Sequence, residues 1–192
     1  MTPEEQVLLQ VVEQLDRLAI PYMVAGSLAS SHHGRPRATH DADVVIDPTE
    51  ASLALLVHRL QAAGLYLDAE RAREALREGR QFNVIDPQTA WEIDLIILKA
   101  RPFSREEFRR RQPREVIEGV RLALATPEDT ILSKLEWAKK AGRSEKQLED
   151  AAGVVAANPD LDRVYLERWA RELDVFDLWR RVSGGPASST GE

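Results

Sequence analysis

The sequence predicts an α/β fold, in which a small mixed sheet is flanked by helices and followed by a C-terminal helical segment. Short apolar runs of strand length lie at 22–25, 41–46, 81–85 and 91–98. A helix start made of threonine, proline and acidic residues occurs at Thr2 and again at Thr126. We therefore expect three parts: a core at 1–125, a helical segment at 126–182 and a disordered tail at 183–192.

The helices are predicted from apolar residues at helical spacing and from the residues that begin and end each pattern. We expect helices from Thr2 to before Pro21, over 28–33, from Asp47-Pro48 to near Gly64, from Ser104 through the arginines to 114, from Thr126 to Gly142, over 144–157 and over 160–182. The charged stretch at 70–80 is expected to be a solvated helix or an irregular excursion. The runs at 81–85 and 91–98 are expected to pair as an antiparallel hairpin, and a short strand is expected within 116–125. Helices and strands therefore alternate through the core, as an α/β fold requires.

Composition excludes several classes of protein. The 192 residues are 43% hydrophobic and 30% charged, which is typical of a globular domain, and the absence of cysteine excludes disulfides and thiolate metal sites. The net charge of −6 argues against an indiscriminate nucleic-acid binder. The N-terminus does not resemble a signal peptide, and no apolar run approaches the roughly 20 residues needed to cross a bilayer. We therefore expect a cytoplasmic protein without a membrane partner, and the oligomeric state stays open.

Two aspartates begin the second predicted strand. Because strand side chains alternate between faces, Asp41 and Asp43 share one face, and the apolar side chains of Ala42, Val44 and Ile46 share the other. Two close carboxylates repel each other and raise each other's pKa unless a cation lies between them. Although an Asp-x-Asp pair alone is common on protein surfaces, this pair at the mouth of a buried strand predicts a divalent metal site.

Gly26 and Ser27 are expected to form a tight turn between the first strand and a short helix. The free N–H groups at a helix start bind anions, and glycine lets the backbone approach a phosphate closely. A phosphate-binding turn followed by paired aspartates predicts a site for a metal-bound nucleotide.

This combination resembles the signature of the polymerase-β-like nucleotidyltransferase superfamily. In that pattern a Gly-Gly or Gly-Ser pair is followed, after a short spacer, by Asp-hydrophobic-Asp or Glu, as at Gly26-Ser27 and Asp41-Ala42-Asp43 here. The run from Gly34 to Asp41 is most similar to bacterial minimal nucleotidyltransferases and to AbiEii-type abortive-infection toxins. The resemblance covers 19–98 and, more loosely, 126–155.

The resemblance implies a third carboxylate on a strand beside the Asp-x-Asp strand. Asp94, set between two apolar residues and sharing a strand face with Glu92, is the candidate, and a surface aspartate on an edge strand is the alternative. By this resemblance Asp41, Asp43 and Asp94 are the catalytic residues and the metal ligands. Asp41 and Asp43 would bridge two Mg²⁺ ions, with Mn²⁺ as an alternative ion, and Asp94 would serve the attacking hydroxyl.

The resemblance also implies a set of nucleotide-binding residues: Gly26, Ser27, Arg37, Thr39, Lys99 and Lys134. The spacing Asp94-x-x-x-x-Lys99 is similar to a motif of AbiEii-like enzymes, and a lysine near 134 contacts nucleotide phosphates in that family. Asp150 is a looser match to a late family element. Arg37 and Thr39 alternatively only brace their loop, and His40 is expected to be structural rather than a catalytic base.

The implied activity is transfer of a nucleoside monophosphate from a Mg-bound nucleoside triphosphate to a macromolecular acceptor. The expected acceptor is tRNA or a partner toxin or antitoxin protein, in a toxin–antitoxin or abortive-infection system. The arginine-rich run at 105–114 favours RNA. Two alternatives stay open: a non-catalytic antitoxin or binding module of the same fold, and a small-molecule nucleotidyltransferase of the aminoglycoside type.

Overall fold

A six-stranded mixed sheet forms the centre of the first of two structural units. The computed structural model describes residues 1–36, 39, 41–142 and 144–184. Unit 1 comprises Met1–Leu28 and Ala38–Ala125, and unit 2 comprises Ala29–Arg37 and Thr126–Glu192. All six strands belong to unit 1: β1 Tyr22–Val24, β2 Asp41–Ile46, β3 Gln81–Ile85, β4 Glu92–Ile97, β5 Gln112–Ile117 and β6 Val120–Leu124.

The strand order across the sheet is β3-β4-β2-β1-β6-β5. β2 runs parallel to β4 and antiparallel to β1, while β3 is antiparallel to β4. β1 pairs in parallel with β6, which forms an antiparallel hairpin with β5. As a result, the carboxyl end of β1 meets the amino ends of β2 and β4 at one edge of the sheet, and the predicted mixed α/β sheet is confirmed.

Nine helices fall within the described residues: α1 Pro3–Arg17, α2 Gly26–His33, α3 Glu50–Ala62, α4 Ala69–Glu78, α5 Pro102–Arg110, α6 Pro127–Lys140, α7 Glu145–Ala157, α8 Arg163–Glu172 and α9 Phe176–Val182. In that part of the chain, none of these helices has both the length and the apolar composition needed to cross a membrane. α1 begins with a capping box in which Thr2 accepts from the Glu5 backbone and Glu5 accepts from the Thr2 backbone. The helix starts predicted at Thr2 and Thr126 are confirmed.

Alternation along β2 and β4 separates an apolar face from a polar face. Ala42, Val44 and Ile46 are fully buried, whereas Asp41 is exposed and Asp43 is half-buried. In β4 the buried residues are Ile93, Leu95 and Ile97. The burial of these apolar residues leaves the opposite face of both strands, which carries the acidic residues, at the surface.

Several predicted boundaries are wrong, and the helix expected to run to 114 ends at Arg110, before β5. α3 is capped by Thr49 rather than by Asp47-Pro48, because the Thr49 hydroxyl accepts from the Ser52 backbone and Ser52 accepts in return. α5 begins at Pro102, whose fixed φ starts the helix, so Ser104 lies inside it. The single helix expected over 160–182 is divided into α8 and α9, because Asp174 has a left-handed φ of 55° between them.

Unit 2 contains α6 to α9 and is held together by buried polar contacts. Asp129, which is fully buried near the start of α6, accepts hydrogen bonds from the Thr126 hydroxyl at 2.7 Å and the Tyr165 hydroxyl at 2.5 Å. The Asn158 amide donates to the backbone carbonyl of His33 at 2.8 Å. These contacts tie α8 and the end of α2 to the rest of the unit.

Candidate functional site

Parallel pairing of β2 and β4 places four acidic residues side by side on one face of the sheet. Asp43 is the Cα partner of Asp94, and Asp41 is the Cα partner of Glu92. Because the intervening residues of both strands are buried on the other face, the four carboxyl groups share the surface face. The structure therefore brings together the three predicted carboxylates and adds Glu92 as a fourth.

Gly26 lies in direct contact with the side chain of Asp43. A Cβ atom built on Gly26 would lie 1.7 Å from Oδ2 of Asp43 and 2.5 Å from its Cγ, and the φ of Gly26 is +58°. Only glycine satisfies both conditions, because any side chain would collide with the carboxylate and would be strained in this backbone region. Gly26 and Ser27, which were predicted as a turn, are instead the first two residues of α2, and Gly26 lies against the predicted metal ligand Asp43.

Thr39 orients the first aspartate. Its hydroxyl lies 2.9 Å from Oδ1 of Asp41 and 3.0 Å from the Asp41 backbone carbonyl, so it can donate to either oxygen. This contact matches the alternative in which Thr39 braces the loop. Arg37 and His40, which flank Thr39, lie outside the described residues.

The surroundings of Asp94 disfavour its charged form. Burial, followed by the negative charges of Asp43, Glu92 and Asp41, raises the pKa of Asp94 to about 6 from its ordinary value of 3.8. A hydrogen bond of 3.1 Å from the Gln81 amide to Oδ2 of Asp94 lowers this pKa. Burial is the largest cause of this shift and the three neighbouring negative charges add to it, so a cation beside Asp94 would be favourable.

The donor chemistry of this face fits Mg²⁺, since all the candidate ligands are carboxylate oxygens. Within the described ranges, however, no three or more His, Asp or Glu side chains are already arranged as a metal-binding group. Asp43 rests against Gly26, Asp41 accepts from Thr39, and Asp94 accepts from amides on β3. Asp41, Asp43 and Asp94 thus have the right chemistry and strand register for a metal, while each side chain is held by its own neighbour.

Lys99 is not brought to the acidic face. It is exposed and follows the carboxyl end of β4, whereas Asp94 lies near the amino end of that strand. Five residues of extended chain correspond to about 16 Å. A nucleotide-binding role for Lys99 stays a prediction.

Lys134 is buried in unit 2, where its ammonium lies 2.8 Å from Oδ2 of Asp150. The side chains of this ion pair are only 5% and 10% exposed. The pair accounts for the sequence feature at Asp150 by joining α6 to α7. A phosphate-binding role for Lys134 stays a prediction.

The arginine-rich run at 105–114 is divided between a helix and a strand. Arg109 pairs with Glu106 at 2.8 Å, and the Arg111 guanidinium lies 4.0 Å from the centre of the Phe108 ring. Because α5 ends at Arg110 and β5 begins at Gln112, the run is not one helical face. This geometry weakens the argument for an RNA contact there.

Sequence reasoning missed the residues of β3 that contact Asp94. Asn83 is the antiparallel Cα partner of Asp94, and its amide donates to the carboxylates of both Asp94 and Glu92. The predicted hairpin contained the signal, because alternation along β3 puts Gln81 and Asn83 on one face. The register that sets them beside Asp94 depends on the turn geometry.

No protein-family model matches the chain, and no curated protein matches it in sequence. Solved structures match it in fold. The crystal structure of ANT(2″)-Ia in complex with adenylyl-2″-tobramycin is 14% identical with a TM-score of 0.61, and the match covers 90% of this chain and 98% of that one.

Two further structures agree with this match. An antigenic nucleotidyltransferase-like protein from Paracoccidioides brasiliensis is 16% identical with a TM-score of 0.55, over 96% of this chain and 95% of that one. The solution structure of ANT(2″)-Ia is 13% identical with a TM-score of 0.50, over 93% of this chain and 88% of that one. At these identities the likeness is one of fold, and this chain has the nucleotidyltransferase fold.

Proposed function

We propose that this protein is a metal-dependent nucleotidyltransferase that transfers a nucleoside monophosphate from a nucleoside triphosphate to an acceptor hydroxyl. The observation that carries the proposal is the register of β2 against β4, which sets Asp43 beside Asp94 on the face that also carries Asp41. The contact of Asp43 with Gly26 brings the start of α2, which we propose binds the phosphates, to the same end of the sheet. The fold shared with nucleotidyltransferases supports the same activity.

Asp41, Asp43 and Asp94 would hold Mg²⁺, with Mn²⁺ as a substitute. When bound, the ion supplies charge neutralisation at the triphosphate and lowers the pKa of the attacking hydroxyl. The hydroxyl and backbone N–H of Ser27, at the start of α2, would bind the terminal phosphates.

The proposed reaction balances without a further reactant. The acceptor oxygen bonds to the α-phosphorus, the bond to the leaving pyrophosphate breaks, and Asp94 accepts the proton from the hydroxyl. Asp43, held against Gly26, and Asp41, held by Thr39, keep their carboxylates fixed during the transfer. Fixed charges of this kind reduce the reorganisation needed in the transition state.

The proposal is tested with α-labelled nucleoside triphosphates, Mg²⁺ and three acceptors: bulk tRNA, a partner toxin or antitoxin protein, and an aminoglycoside. Label should appear in one acceptor and should disappear with Asp41→Asn or Asp43→Asn. Asp47→Asn is the matched control, because Asp47 follows the other end of the same strand. Absence of both labelling and Mg-nucleotide binding would favour the non-catalytic binding module.

A cationic small molecule is a second candidate acceptor, favoured by Glu92. This residue adds a fourth carboxylate beside Asp41, which suits a polycation and repels the phosphates of RNA. The adenylyl-tobramycin bound to ANT(2″)-Ia is an acceptor product of this kind in that protein. tRNA or a partner protein, as in a toxin–antitoxin system, is the competing hypothesis in the same labelling experiment.

A further inference from the structure

Two amide side chains on β3 lie on the same sheet face as the acidic residues. Phe82 and Val84 are buried on the opposite face, so alternation directs Gln81 and Asn83 toward the carboxylates. Asn83 is paired directly with Asp94 across the antiparallel ladder. The hairpin thus supplies a second row of polar groups beside the strand that carries Asp94.

Each carboxylate oxygen of Asp94 accepts one amide hydrogen bond. Asn83 donates to Oδ1, and Gln81 donates to Oδ2 at 3.1 Å. The Asn83 amide also contacts the carboxylate of Glu92. Because a carboxylate offers roughly four lone-pair sites, one amide on each oxygen leaves sites available for a cation.

The amides of Gln81 and Asn83 are uncharged donors, and this bears on the binding of a metal ion at Asp94. A lysine or arginine at either position would pair with Asp94 and compete with a metal ion, whereas an amide orients the carboxylate and leaves its charge uncompensated. Without the amides, Asp94 would lose the two hydrogen bonds that hold its side chain against repulsion from Asp43 and Glu92. Holding the carboxylate in place before a cation binds removes an ordering cost from binding.

We propose that Asn83 and Gln81 are positioning residues that hold the Asp94 carboxylate for divalent-cation binding. The inference rests on the proposed nucleotidyltransferase function. The two amides act through Asp94 and need no contact with the substrate. Partners that orient metal ligands in this way typically contribute about 10–100-fold to metal affinity.

The test is the affinity of the protein for Mn²⁺ in the presence of a non-hydrolysable nucleoside triphosphate, measured by titration calorimetry and by the electron paramagnetic resonance signal of free Mn²⁺. The same titration without protein is subtracted, because the nucleotide itself binds Mn²⁺. Gln81→Met and Asn83→Leu keep side-chain size and remove the amide. Each should raise the Mn²⁺ dissociation constant about tenfold. Gln88→Met, in the turn of the same hairpin, is the matched control and should bind as the wild type does.

Three outcomes separate the inference from the function on which it rests. If the wild type binds Mn²⁺ and both variants bind it equally well or more tightly, the positioning role is wrong and the proposed function stands. If the wild type binds no Mn²⁺ with nucleotide, both are wrong. Asn83 is half-buried, so Asn83→Leu could fail to fold; in that case the Mn²⁺ affinity of Gln81→Met alone decides, because Gln81 is exposed.

Discussion

Residue 26 combines a left-handed backbone with a close approach of Asp43. A side chain here meets two separate penalties: a φ of +58° costs an L-residue about 1–2 kcal/mol, and the collision with Asp43 adds to it. The backbone penalty occurs without a collision at Gly79, where φ is +64° and a Cβ atom would meet no atom within 4 Å. Comparison of the two glycines therefore isolates the contact with the carboxylate.

We expect Gly26→Ala to reduce nucleotidyl transfer about hundredfold, because displacement of Asp43 misplaces a metal ligand. Gly79→Ala should lower the free energy of unfolding by about 1–2 kcal/mol and leave the activity unchanged. Urea denaturation and initial rates of transfer measure the two effects. Equal activity in the two variants would contradict a role for the Gly26–Asp43 contact.

The raised pKa of Asp94 predicts a pH dependence of stability in the metal-free protein. The folded state binds the Asp94 proton more tightly than the unfolded chain, so the stabilisation is complete below about pH 4 and is lost as the pH rises through about 6. Since Asp94 is half-buried, solvent screening reduces the effect to about 1 kcal/mol.

We expect the difference in free energy of unfolding between wild type and Asp94→Asn to shift in favour of the variant by about 1 kcal/mol from pH 4 to pH 7. Urea denaturation in a chelating buffer measures it. A difference that does not change with pH would show that burial and the neighbouring charges do not raise the pKa of Asp94.

Among the elements, β2 and the β3–β4 hairpin could be predicted because they depend on local alternation. Asp41 and Asp43 follow that pattern, and so does Asp94. The neighbours of Asp94 could not be predicted, since contacts from Asn83 and Glu92 depend on strand order and register, which are set by long-range pairing.

The prediction of helix boundaries was wrong where the backbone conformation of a single residue interrupts a continuous apolar pattern. The left-handed φ of Asp174 ends the helical run before α9, although the helical spacing continues through it. Lys99 shows a different limit. Its spacing from Asp94 matches a motif, but five residues of extended strand span about 16 Å. Residues that are close in sequence are therefore not necessarily close in space.

The buried ion pair of Lys134 and Asp150 joins α6 to α7, so we expect the stability of unit 2 to depend strongly on this pair. Lys134→Met removes the cation from this buried ion pair and should lower the free energy of unfolding by about 3–5 kcal/mol. Lys134→Met combined with Asp150→Leu should recover most of this loss.

Lys139→Met is the matched control in urea denaturation, because Lys139 pairs with Asp174 at the surface of the same unit. We expect no measurable change in that variant. A Lys134→Met protein as stable as the wild type would mean that the buried pair contributes little to holding α6 against α7.

At the scale of the whole molecule, charge bears on the choice of acceptor. The chain carries a net charge of −6, and four carboxylates share one face of its sheet. This distribution attracts cations to the candidate site and repels polyanions at low ionic strength. The distribution therefore favours a polycationic acceptor over tRNA.

We expect the KM for an aminoglycoside acceptor to rise severalfold between about 0.05 M and 0.5 M salt, because screening weakens the attraction. Glu92→Gln should raise the same KM at low salt and leave the KM for the nucleotide unchanged. Steady-state kinetics at several salt concentrations measure both. Transfer to tRNA alone, without transfer to the aminoglycoside, would contradict this prediction.

The packing of Asp43 on the α-carbon of Gly26 couples two parts of the chain that are far apart in sequence. A change at either position alters the space available to the other, so the turn and the carboxylate cannot vary independently. Across homologous sequences, we expect any chain that has lost the glycine to have lost the aspartate as well.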